Sequence, residues 1–125
     1  MANNPGLVPY ISPSEAVAAA EFYRQAFGAS EIEPMLADDG KRYIHCSFVV
    51  NGGTVYMSDS FPEYGAPFVT PQGFNLNLNV DDAQAWWDRA IAAGCTVVMP
   101  LEKQFWGDIY GQLKDPYGIT WAIAQ

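Results

Sequence analysis

His45 is the one histidine in the chain, so two histidines cannot share a metal or relay a proton within one copy. It lies in the stretch Lys41–Val50. If Tyr43, His45 and Ser47 share a strand face, His45 stands on the open side as a base or hydrogen-bond partner. Cys46 then points the other way and reads as a small core thiol rather than a nucleophile. Asp59 follows Met57 by two residues on the next strand, and it can lay a carboxylate beside His45 or simply terminate the strand. Asn75 and Asn77 form a polar ladder on a strand whose other face is apolar, while Trp106 and Tyr110 can wall a site for a flat or cationic ligand or serve in packing. The candidate ligand contacts are His45, Ser47, Met57, Asn75, Asn77, Trp106 and Tyr110, and the catalytic candidates are His45 and Asp59.

Composition narrows the chemistry. Half of the residues are apolar, enough for a sizeable core in one domain spanning 1–125. Fourteen acidic residues against six basic ones give a net charge of −8, which argues against nucleic acid and suits a neutral or cationic small ligand. Two cysteines without a CxxC pattern argue against zinc and for a reducing, cytoplasmic setting. Neither a signal-peptide pattern nor a membrane-length apolar run is present, so no membrane association is expected.

The elements that must position these residues come in two similar sets. Leu7–Ile11 reads as a strand. Ser12, with Glu15 three residues on and Pro13 between them, reads as the cap of a helix running to about Phe27. Ala16, Ala19, Ala20, Tyr23 and Phe27 form its buried face, and Gly28 ends it. Strands follow at Ala29–Leu36, Lys41–Val50 and Thr54–Asp59, the last two joined by the hairpin signal Asn51-Gly52-Gly53. Ser60–Gln72 holds three prolines and reads as a linker packed down by Phe61, Tyr64 and Phe68, or as a functional loop.

A second set starts at Gly73–Val80, which alternates strictly. Asp81 caps the next helix, with Gln84 three residues on, and Gly94 ends it. Thr96–Met99 is a strand closed by Pro100. Trp106–Leu113 and Ile119–Ala124 form a hairpin through Asp115-Pro116-Tyr117-Gly118. Asn51-Gly52-Gly53-Thr54-Val55-Tyr56 echoes Pro116-Tyr117-Gly118-Ile119-Thr120-Trp121. The fold class is therefore α+β, with two βαβββ modules (about 7–59 and 73–125, linker about 60–72) forming a curved sheet around a central cavity.

Phe22-Tyr23 with Phe27-Gly28, Val80-Asp81, Ala92-Ala93-Gly94 and Asp115-Pro116-Tyr117-Gly118 resemble the glyoxalase / bleomycin resistance / dioxygenase (vicinal oxygen chelate) superfamily. Pro9-Tyr10-Ile11, His45, Phe105-Trp106-Gly107-Asp108 and Tyr110-Gly111 look like its PhnB-like branch. The resemblance implies a homodimer with ligand in a concave sheet. It also implies a divalent metal held by the first and last strands of each module, acting as a Lewis acid. Those positions carry over to Val8 (or Pro9 or Tyr10), Met57, Asn75 and Ala122. Of the four, Asn75 alone offers an oxygen, so no metal cofactor is expected there, although a divalent metal remains possible at other residues such as His45.

Three readings stay open. One is a metal-free protein that binds a small molecule. Another is an enzyme of the superfamily type, metal-assisted or using His45 with Asp59. The third is a domain that fills its own cavity and acts through its dimer surface.

Overall fold

The computed structural model describes residues 5–125. In chain order the elements are β1 (Tyr10–Ile11), α1 (Ala16–Phe27), β2 (Ser30–Leu36), β3 (Tyr43–Val50), β4 (Gly53–Met57), β5 (Leu76–Asn79), α2 (Ala83–Ala93), β6 (Thr96–Lys103), β7 (Ile109–Lys114) and β8 (Thr120–Ala124). They form two four-stranded sheets, ordered β1-β4-β3-β2 and β5-β8-β7-β6. In each sheet the first strand of the half lies parallel to the last, Tyr10 beside Tyr56 and Asn77 beside Ala122, and the other pairings are antiparallel. The expected strand–helix–three-strand order is present twice.

One core serves both halves. In α1, Tyr23 stacks on Phe48 of β3 with centroids 5.5 Å apart and meets Trp121 of β8 edge-on at 5.3 Å, while Phe27 lies 4.4 Å from Trp121. These rings are almost completely buried, and each contributes roughly 1.5–3 kcal/mol by leaving water. Asp115 is buried beneath them and accepts from Tyr23 Oη (2.7 Å), Trp121 Nε1 (2.9 Å) and the backbone N–H groups of Tyr117 and Ile119. The turn aspartate thus ties the second hairpin to the first helix. Gly111 fixes the second half differently. A Cβ there would lie 2.7 Å from Trp87 Cζ3 and 2.8 Å from Leu101 Cα, so the contact of α2 and β6 over β7 requires glycine.

Several local expectations change. The first strand is two residues long, and α1 begins at Ala16 without a side-chain cap from Ser12 or from Glu15, its N-cap residue. Pro13 is buried before the helix. Asp82 rather than Asp81 caps α2, accepting from Ala85 N at 3.1 Å. β6 runs through Pro100 to Lys103, which is tolerated because β6 is an edge strand with register shifts on either side of Met99. Trp106 lies in the turn before β7, not in the strand. The stretch 60–72 is held by Arg42, which donates to Ser60 O, pairs with Glu63 and sits 4.3 Å over the Phe61 ring. Tyr64 and Phe68 are exposed.

Candidate functional site

The two helices start against matching acceptors. Asp59 Oδ1 accepts from Ala16 N at 2.7 Å, and Gln125 Oε1 accepts from Ala83 N at 2.8 Å. Both acceptors come from just beyond the last strand of their own half. Asp59 Oδ2 also accepts from Tyr43 N at 2.7 Å. Asp59 is therefore an anchor for a helix N-terminus, where a carboxylate meets both an orphan N–H and the positive end of the dipole. It is not placed as the partner of His45. Met57 is fully buried and pairs with Cys46, so it belongs to the core and not to a ligand face. Asp59 does share the face of Met57, but that face is the one covered by helices, so the expectation that it opens on the cavity beside His45 fails for both.

Alternation then assigns the open face of the first sheet. Cys46, Phe48, Val50, Val55 and Met57 are buried toward the helices, so Tyr10, His45, Ser47 and Tyr56 lie on the other side. Tyr10 Oη and His45 Nδ1 are 3.0 Å apart. The three rings form one patch, with centroid distances of 5.7 Å for Tyr10–His45, 5.9 Å for Tyr10–Tyr56 and 5.0 Å for His45–Tyr56. Burial, then the nearby Cys46, pushes the Tyr10 phenol above its ordinary value, so it remains a neutral hydrogen-bonding group at neutral pH. Ser47 stands opposite Tyr56 on one side and Glu33 on the other. Cys46 is sealed in the core, and burial pushes its thiol up to about 11, which leaves it inert as a nucleophile.

The open face of the second sheet carries Asn77, Ala122, Tyr110 and Gln112 in matching register. Gln112 Nε2 donates to Tyr110 Oη at 2.9 Å, and Asn77 Nδ2 donates to Asn79 Oδ1 at 2.8 Å. Trp106 lies on the β6–β7 turn, half exposed, with its indole N–H donating to Asp108 and its ring 6.2 Å from Tyr110. Asn75 and Asn77 line a groove of about 410 Å³ between β5 and the β3–β4 turn. Of the sequence candidates, then, His45 and Ser47 come together on one sheet and Asn77 and Tyr110 on the other.

The paired registers also refine the superfamily metal positions. Tyr10 beside Tyr56 in the first half corresponds to Asn77 beside Ala122 in the second. Two phenols, one amide and one methyl group do not suit a hard divalent cation. Among the described residues no group of three or more His, Cys, Asp or Glu could hold a metal ion. Three of the four shift from the positions expected: Tyr10 replaces Val8 because β1 is short, Tyr56 replaces Met57 because Met57 faces inward, and Asn77 rather than Asn75 is the residue that pairs with Ala122.

Sequence reasoning passed over Tyr56 as a site residue and reached Tyr10 only as an alternative to Val8 among the superfamily metal positions. The signal was available in the alternation about Cys46, Phe48 and Val50, which fixes the face of β3 and, through the hairpin, that of β4.

The fold has many relatives. A protein of Pseudomonas aeruginosa superposes with a TM-score of 0.73 and 29% identity, over 94% of this chain and 94% of that one. A Bacillus cereus PhnB protein, described as a putative 3-demethylubiquinone-9 3-methyltransferase, superposes with a TM-score of 0.68 at 20% identity, over 94% of this chain and 96% of that one. An uncharacterised Mycobacterium bovis protein is 39% identical over 97% of this chain and 83% of its own length. The repeated module, the paired registers and the sequence pattern matched over residues 11–123 agree, and the chain belongs to the Glyoxalase/Bleomycin resistance protein/Dioxygenase superfamily.

Proposed function

We propose that this chain binds a small organic molecule on its open sheet faces, without the superfamily's metal, and works as a cytoplasmic homodimer. The observation that carries the reading is the set Tyr10, Tyr56, Asn77 and Ala122 at the four repeat-related positions. These side chains offer hydrogen bonds, aromatic faces and space, but no hard-cation ligand set. His45 and Ser47 on one sheet, with Asn77 and Tyr110 on the other, supply the polar contacts; Asn75 in the seam groove and Trp106 beside Tyr110 extend them. The homodimer reading is supported by apolar side chains left exposed on the outer strands, Met35 and Leu36 on β2 and Val97, Val98 and Met99 on β6. No helix among the described residues is long and apolar enough to cross a membrane, and the net charge of −8 disfavours nucleic acid as a partner.

The Tyr10–His45 hydrogen bond favours one second reading. If Tyr10 fixes the imidazole through Nδ1, His45 presents Nε2 as a proton acceptor or donor, and the chain is an enzyme of proton transfer. Metal analysis of the purified protein, with thermal shifts on adding Ni²⁺, Zn²⁺, Mn²⁺ and Fe²⁺, tests the metal-free part. A stoichiometric metal, or a shift lost on changing His45, overturns it.

A further inference from the structure

The hydrogen bonds already made on the open faces decide which way those to a ligand can run. Tyr10 Oη makes its one side-chain hydrogen bond among the described residues to His45 Nδ1, at 3.0 Å. His45 Nε2 has no partner among the described residues and is not sealed from solvent. The repeat-related position of the second sheet holds Tyr110, whose Oη accepts from Gln112 Nε2 at 2.9 Å. In each half a neighbouring side chain occupies one hydrogen-bonding site of the ring and leaves the other to the open face.

We infer that His45 Nε2–H and Tyr110 O–H are both hydrogen-bond donors to the ligand, and that the ligand meets them with uncharged, carbonyl-type oxygen. The inference rests on the small-molecule reading of the open faces and names the polarity of the group they bind.

The direction at His45 follows from the chemistry of the pair. Burial keeps the Tyr10 phenol protonated at neutral pH, so it has a hydrogen to give. A phenolic oxygen shares its lone pair with its ring and accepts poorly, whereas a bare imidazole nitrogen accepts well. Tyr10 therefore donates to Nδ1, and a neutral imidazole that accepts on one nitrogen carries its hydrogen on the other. When the ring is protonated, both nitrogens carry hydrogen. Nε2 is thus a donor in either charge state, and Tyr10 is a positioning residue for it. The rings of Tyr10 and Tyr56, with centroids 5.7 and 5.0 Å from that of the imidazole, restrict its rotation. At Tyr110 the Gln112 amide fills a lone pair of the phenol, and the phenol hydrogen is left to donate.

Two donors select an acceptor. An ammonium group has donors only and finds no counterpart in them. A carboxylate would match them but meets the field of a chain with net charge −8. A ketone, ester or amide carbonyl satisfies both conditions.

The chain has one histidine, so the imidazole of the ¹⁵N-labelled full chain gives a single set of long-range ¹H–¹⁵N signals. Where the ring is neutral, Nε2 is expected to show the shift of a protonated nitrogen and Nδ1 that of a bare one, and Tyr10→Phe should move Nδ1 away from its hydrogen-bonded value. Acetophenone and α-methylstyrene, which exchange oxygen for CH₂ at nearly unchanged shape, are then compared through amide shifts. The preference for the ketone should fall about fivefold at residues 45–47 on His45→Phe, and at residues 110–112 on Tyr110→Phe, as loss of one net hydrogen bond requires. A protonated Nδ1 beside a bare Nε2, or a ketone preference that survives both substitutions, overturns the donor inference and leaves the small-molecule reading intact. Phenylacetate binding more tightly than acetophenone overturns the uncharged part. No shift on either open face with any of the three probes counts against both readings.

Discussion

Asp59→Ala separates an anchoring carboxylate from a catalytic one. The side chain accepts two backbone hydrogen bonds, from Ala16 N and Tyr43 N, both at 2.7 Å, in a site where it is 9% exposed. Alanine leaves the first N–H of α1 and a strand N–H without acceptors. Losing a helix cap costs about 0.5–2 kcal/mol, and stranding the second donor costs about 1–3 kcal/mol. The combined loss should be near 3 kcal/mol, or about 12 °C in Tm for a chain of this size. Urea denaturation and calorimetry measure it directly. A cycle with His45→Ala supplies the sharper comparison. Because Asp59 faces the helices and His45 the open sheet, the two losses should add within about 0.5 kcal/mol, whereas Tyr10→Phe and His45→Ala should not. A stable Asp59→Ala protein, or a coupling to His45 well above that limit, would refute the placement of Asp59 and restore the proton-transfer pair.

Gly111→Ala should be among the most harmful single-methyl changes in the chain. Its Cβ meets the Trp87 ring and Leu101 backbone below 3.0 Å, so a loss of about 3 kcal/mol by denaturation is expected. Stability should also fall in alkali. Burial raises Cys46 to about 11 and Cys95 to about 12 from 9.0, and raises Tyr23 well above 10.0 with help from Asp115. Below their ordinary values these groups are protonated in both states and their contribution is complete. As pH climbs through 9 to 10 the unfolded chain sheds protons that the folded chain keeps, so Tm should drop steadily, and a Tm that stays level through this range contradicts the burial of these groups. Arg42→Ala should raise hydrogen exchange across residues 60–66 with little change in Tm, since it removes the contacts to Ser60, Glu63 and Phe61 from an exposed loop.

The repeat was legible in the sequence because its signals are local. Gly28 and Gly94 end helices, Asn51-Gly52-Gly53 and Asp115-Pro116-Tyr117-Gly118 make turns, and apolar periodicity marks the faces between them. The position of Cys46 on the helix-covered side followed from the same alternation. What could not be read locally was each contact that spans the fold. Asp59 reaches back 43 residues to Ala16, Asp115 reaches Tyr23 across 92, and Arg42 holds a loop 18 to 21 residues away. A carboxylate near a strand end looks alike whether it caps a helix or assists a histidine, until the face of its strand is fixed. Misplacing that face carried Met57 and Asp59 into the site together, as a shift of one position must.

The two halves have diverged unevenly, and the pattern bears on function. Where the repeat supports the fold, its chemistry is kept: Asp59 and Gln125 both receive a helix N-terminus, and both last hairpins turn through a glycine at positive φ. On the open faces it is not kept. Tyr10, Tyr56, His45 and Ser47 on the first sheet stand where Asn77, Ala122, Tyr110 and Gln112 stand on the second. The first face offers three rings and neighbouring carboxylates. The second offers amides, a phenol and a methyl group. A repeat-symmetric metal site would need matching donors from both halves, and that symmetry is absent at these positions. A single asymmetric organic molecule makes the opposite demand: a charged or aromatic end against one sheet and a neutral, hydrogen-bonding end against the other. The divergence of the faces, set beside the constancy of the helix anchors, is what binding such a molecule requires.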